Sequence, residues 1–194
     1  MWLRYSQWLS SCILVGACYC LPNANANAHE LESNRVTIVL RDDIHLNLIF
    51  RLNYLEFLHQ LYAKELSQKD FILRFAALSD SDFDSLSTKA NAHLLTETKL
   101  IKSNGANLNI QHWKWPSTSS LHQTLREHAM QLIVDPSADI HMVFFEIQAD
   151  AISEEHISNC TISLPQALTT MLIVNYKANQ QWYQFEQKKT QLMF

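Results

Sequence analysis

Two runs of alternating side chains, 35–41 and 44–52, sit end to end across Asp42-Asp43. In the first, Val36, Ile38 and Leu40 alternate with Thr37 and Val39. In the second, Ile44, Leu46, Leu48, Phe50 and Leu52 alternate with His45, Asn47, Ile49 and Arg51. A period of two is that of a strand with one buried face, and an aspartate pair supplies turn chemistry. This stretch is therefore committed to a β-hairpin, and whatever follows must cover its apolar side.

Downstream, Asn53-x-x-Glu56 has the form of a capping box, and Leu55, Leu58, Leu61 and Tyr62 follow at helical spacing. Residues 67–77 suit a second helix, although 71–75 would also pair as a strand. Residues 79–95 predict a helix capped by Ser81, with acids in its first turn and Phe83, Leu86, Ala90 and Leu94 as its stripe. A second hairpin is expected around Asn104-Gly105, the dipeptide that enters tight hairpin turns most readily, with strands over 97–102 and 107–115. After Pro116, the serines at 117–120 predict the start of a short helix carrying Leu121, Leu125 and Ala129, running into a strand near 130–134.

Residues 135–139 are a turn by composition, and 141–149 alternate with bulky groups on both faces, which predicts a central strand. A polar loop over 151–159, a brief strand over 161–164 closed by Pro165, and a last pair of strands, 171–176 with 181–185, complete the chain. Strands at both ends with helices between them predict an α+β domain with mostly antiparallel pairing, in the form of an immunoglobulin-like β-sandwich with inserted helices.

The first 28 residues read differently. A basic start with Arg4, an apolar run over about 9–21 and a small-residue exit at Ala26-Asn27-Ala28 are the parts of a secretory signal peptide. The run is shorter than the roughly 20 residues that span a bilayer, and Ser10, Ser11 and Gly16 interrupt it. Cleavage after Ala28 leaves 29–194 as a single periplasmic domain without a transmembrane helix, beginning at His29. The rival is a lipobox-like Val15-Gly16-Ala17-Cys18, which would anchor the protein to the envelope through a lipidated Cys18.

Composition narrows the function. The net charge is -4 and no basic block occurs, which argues against a nucleic-acid partner. Gly105 is the sole glycine after the leader, so the glycine-rich turns that hold nucleotide phosphates are missing. Cys12, Cys18 and Cys20 fall in the leader, which leaves Cys160 unpaired and best placed in the interior. No Gly-x-Ser-x-Gly elbow and no His-Glu-x-x-His motif occurs, and nothing local activates Cys160 as a nucleophile, so the chain does not read as an enzyme.

Metal ligation is the chemistry left to weigh. All nine histidines follow the leader. A free N-terminal His29 offers amine and imidazole to one ion, a chelate suited to copper or nickel, against the usual fate of a terminus as a solvated tail. His156-x3-Cys160 places a nitrogen and a sulfur one helical turn apart beside Glu154 and Glu155. Asp80-x-Asp82-x-Asp84 has Ser85 where a calcium loop needs glycine and Asn91 where it needs glutamate, so helix-start acids explain it. Trp113 and Trp115 could form an aromatic platform, but strand alternation favours a core residue with an edge neighbour.

The segment 29–37, His-Glu-Leu-Glu-Ser-Asn-Arg-Val-Thr, followed by Arg41-Asp42-Asp43 and a capped helix, resembles a group of uncharacterised proteobacterial periplasmic proteins. It is also similar to the extracytoplasmic domain of hydrogenase/urease accessory permeases, with a weaker echo at Asn104-Gly105. The resemblance implies a binding or accessory role beside a membrane permease, with nickel or copper as cargo and His29 as the one residue it assigns. The alternative is a structural or protein-interaction module, lipid-anchored at Cys18. On expression in a bacterium that exports the protein, mass determination is expected to give a chain starting at His29; a chain starting at a diacylated Cys18 would establish the alternative.

Overall fold

A computed structural model describes residues 33–178. The leader, His29 and the expected strand over 181–185 lie outside the described residues. Strands β1 (Arg35–Arg41) and β2 (His45–Leu52) form the expected hairpin, pairing Leu40 with Leu46, Ile38 with Leu48 and Val36 with Phe50. Asp42 and Asp43 both turn through positive φ, at 50° and 60°, a region aspartate enters more easily than most residues.

Three more strands extend this hairpin into a five-stranded sheet of order β5-β6-β2-β1-β8. Strand β6 (Phe145–Ile152) pairs antiparallel with β2, and β5 (Ile110–Lys114) antiparallel with β6. On the other side β8 (Leu172–Lys177) runs parallel to β1. A second, three-stranded sheet has the order β4-β3-β7, from β3 (Lys99–Lys102), β4 (Asn107–Leu108) and β7 (Cys160–Ser163). The architecture is α+β with mainly antiparallel pairing, β1 with β8 being the parallel exception.

Four α-helices are present among the described residues, besides one 3-10 turn at Gln166–Leu168. Helix α1 (Tyr54–Tyr62) starts at Asn53, whose side chain accepts from the Glu56 amide at 3.1 Å. The reciprocal half of the capping box goes elsewhere: the Asn53 amide donates to Asn34 Oδ1 at 2.8 Å, tying the helix start to the strand entry. Residues 67–77 resolve as helix α2 (Gln68–Ala76), because Ser67 caps it through the Asp70 amide and Phe71, Ile72 and Phe75 share its buried side.

Helix α3 (Asp80–Glu97) has its cap two residues earlier than the expected Ser81. Ser79, not Ser81, accepts from the Asp82 amide at 3.1 Å and donates to the Asp82 carboxylate at 2.6 Å. Helix α4 (Thr118–Val134) overturns the strand expected near 130–134. Leu121, Leu125, Ala129 and Leu132 continue one helical stripe into the core, so the helix is worth more in burial than a strand with no sheet edge beside it.

The other differences are local. The Asn104-Gly105 turn closes β3 onto β4, with Gly105 at φ 83°, but the chain then leaves that sheet and its next strand, β5, joins the larger one. Strand β6 starts at Phe145 rather than at His141. Strand β8 takes β1 as its partner.

The stripes of all four helices join Leu48, Phe50 and Ile147 of the large sheet in one hydrophobic cluster. Tyr54 is buried within it, and its hydroxyl donates to Asn91 Oδ1 at 2.5 Å. Phe50 is fully buried and stacks on Trp113 at 5.7 Å. Replacing Phe50 with Ala is expected to cost about 3–5 kcal/mol in chemical denaturation, whereas Val134→Ala at the exposed end of α4 should shift stability by less than about 0.5 kcal/mol.

Candidate ligand pocket at the edge of the five-stranded sheet

In a sheet, paired residues point to the same face, so each rung of the ladder can be followed from strand to strand. One rung runs Ile173, Val36, Phe50, Ile147. The last three are 0% exposed, yet Ile173 on β8 is 47% exposed. The apolar face of the sheet therefore continues past its covering onto β8, which is the terminal strand among the described residues.

A pocket of about 580 Å³ lies at that place. Its floor is aliphatic, from Ile38 and Leu40 of β1, Leu46 of β2 and Ile173 of β8, and its opposite wall is the segment from His156 to Cys160 with Ile162 of β7. The wall is fastened to the hairpin turn by backbone bonds. Ser153 donates to the Ile44 carbonyl at 2.9 Å, and Ile157 to the Asp43 carbonyl at 2.8 Å. A further tie joins Lys102 Nζ to Glu155 Oε2 at 3.0 Å.

Charged groups meet at the Lys177 end, while Ser158, Asn159 and Asn175 add polar side chains to the lining. Asp43 Oδ1 lies 2.6 Å from Lys177 Nζ, and Asp43 Oδ2 lies 3.9 Å from His156 Nε2. The Lys177 ammonium, hydrogen-bonded to Asp43, holds that carboxyl below its ordinary range. At the wall, burial pushes the Cys160 thiol above its ordinary value, so it stays protonated at neutral pH.

The fold thus brings His156 and Cys160 to one pocket, but not as one helical turn. The residues between them form an irregular connection into β7, because the Ser153 and Ile157 backbone amides bond to the hairpin turn instead of to each other's helix. His29 lies outside the described residues. Among the described residues no three His, Cys, Asp or Glu side chains converge as a metal-holding set. What the sequence reading missed was the floor and rim, and the available signal was the order Ile173-x-Asn175-x-Lys177 on one face of β8.

The other chemistry-bearing residues have structural work. His122 Nδ1 lies 3.1 Å from Asp80 Oδ1, which also accepts from Arg126 at 2.9 Å, and the imidazole stacks on Phe83 at 4.2 Å. His59 Nε2 meets the Leu66 carbonyl at 3.0 Å. Burial lowers the His128 pKa, leaving it neutral inside α4. Asp82 completes the start of α3. Trp113 and Trp115, being two residues apart, share one face and stack at 5.1 Å instead of splitting between core and edge. No helix among the described residues is long and apolar enough to cross a membrane.

No family model, no curated protein and no solved structure matches the chain. The pocket chemistry is open to direct measurement: the alkylation rate of Cys160 against pH should have its midpoint above the value of about 8.5 for an exposed thiol, and a midpoint at or below it would show an activated thiolate.

Proposed function

We propose that this protein is a non-enzymatic binding or accessory protein of the periplasm, and that its ligand occupies the pocket beside β8. The observation that carries this reading is the apolar floor left half exposed at Ile173 next to a polar rim of Asp43, Lys177 and His156. A pocket of several hundred Å³, mostly apolar with a few convergent polar groups, has the make-up of a small-molecule site. Burial that keeps Cys160 protonated suits a pocket wall rather than a nucleophile.

The periplasmic placement and the role beside a permease rest on the signal-like first 28 residues and on the resemblance carried by 29–37. An immunoglobulin-like sandwich is the finer fold reading within this proposal; two sheets of mainly antiparallel strands support it. Nickel or copper is the metal form of the proposal. His156 and Cys160 supply two donors in one pocket, and His29 is the sequence's choice for a third. The second reading, an interaction module anchored at Cys18, is favoured by Met130, Ile133 and Val134, which stand exposed at the end of α4.

An apolar fluorescent dye, anilinonaphthalene sulfonate, separates the readings. The native chain is expected to bind it saturably at one site, and Ile173→Arg to abolish the signal. Enhancement that persists in Ile173→Arg would move the apolar site elsewhere and favour the interaction module. In calorimetry with nickel(II) or copper(II), the metal form requires affinity to fall at least about tenfold in His156→Ala, and unchanged affinity would remove metal from the proposal.

A further inference from the structure

The pocket is polarised along β8. On its pocket face the side chains run Ile173, Asn175, Lys177, which is hydrocarbon, amide and ammonium in order. At the rise of a strand this gradient spans about 13 Å. The neighbouring rungs follow it: Ile173 lies level with Val36, Asn175 with Ile38, and Lys177 with Leu40, beside the Asp43 turn. An occupant aligned with β8 therefore meets hydrocarbon at one end and charge at the other.

The floor and wall are built mainly from Ile38, Leu40, Leu46, Ile157, Ile162 and Ile173, branched aliphatic groups, with Tyr176 the one phenol ring among the lining residues. Such a surface suits a flexible alkyl chain better than a planar ring, which gains from stacking. At the polar end, Lys177 Nζ spends one contact on Asp43 and has three N–H donors, and its side chain is more than half exposed. His156 stands on the other side of the same carboxylate. A carboxylate head placed on the side of Lys177 away from Asp43 takes a charge-assisted hydrogen bond from one of the remaining ammonium donors.

We infer that the pocket binds a single-chain aliphatic carboxylate of medium length, its tail over Ile173, Ile38 and Leu46 and its head at Lys177. This deepens the reading of the pocket as the ligand site and rests on it.

Dodecanoate, titrated into the full chain with Cys12, Cys18 and Cys20 replaced by serine, tests the inference. Cys160 is then the sole thiol and lines the pocket, so bound dodecanoate is expected to slow its alkylation at least about tenfold at saturation. This readout needs no change to the pocket itself. In addition, Lys177→Met is expected to weaken dodecanoate about tenfold while leaving dodecanol unchanged, and Ile173→Glu to remove the binding of both. Dye binding without any protection by dodecanoate would overturn the ligand class while the pocket reading stands. Failure of both dye and dodecanoate to affect Cys160 would overturn the pocket reading itself. Equal protection by dodecyltrimethylammonium would overturn the assignment of the head to Lys177.

Discussion

The antiparallel register of β1 against β2 is the constraint on which the rest of the structure depends. It aligns Leu40 with Leu46, Ile38 with Leu48 and Val36 with Phe50, placing all six on the apolar face of the sheet. A slip of one residue would exchange that row for Arg41, Val39 and Thr37 and leave α1 to α4 without an apolar surface. The turn defends the register, because Asp42 and Asp43 both adopt the left-handed backbone that a tight reversal requires. Strand β6 then extends the apolar face on one side with Ile147, Ala149 and Ala151, and β8 on the other.

The same turn also builds the pocket. The Asp43 carbonyl receives the Ile157 amide, which seats the wall, and its carboxylate meets Lys177 and His156, which makes the rim. One residue thus links the reversal of the first hairpin to a segment more than a hundred positions later and to the last described strand. The ion pair is solvent-facing, so its contribution is mainly to position charge at the pocket mouth rather than to hold the fold together.

Much of the fold was legible because its signals are local. Alternation at 35–52, the Asn53 cap, the stripe of Phe83, Ala90 and Leu94, and the Asn104-Gly105 turn each express a preference that the surrounding structure agrees with. The misreadings share a different cause. Residues 130–134 are β-branched and apolar enough to read as a strand, but the stripe from Leu121 to Leu132 keeps them helical. Strand β8 has a partner, β1, that is far away in the chain, where no local pattern points to it, and its expected partner over 181–185 lies outside the described residues. His156 and Cys160 were legible as donors, but their common pocket depends on that parallel pairing.

By itself the sequence determined the strand period, the helix stripes and the turn at Asp42-Asp43. These are properties of a few consecutive side chains, and steric and solvation preferences act on them at short range. Only the tertiary structure decided which strand lies beside β1, and hence that Ile173, Lys177, His156 and Cys160 line one cavity, with Asp43 against Lys177 and His156. That choice is made by burial summed over distant segments: β8 joins the sheet where the apolar face of β1 would otherwise end in water, and it leaves the pocket where that covering runs out.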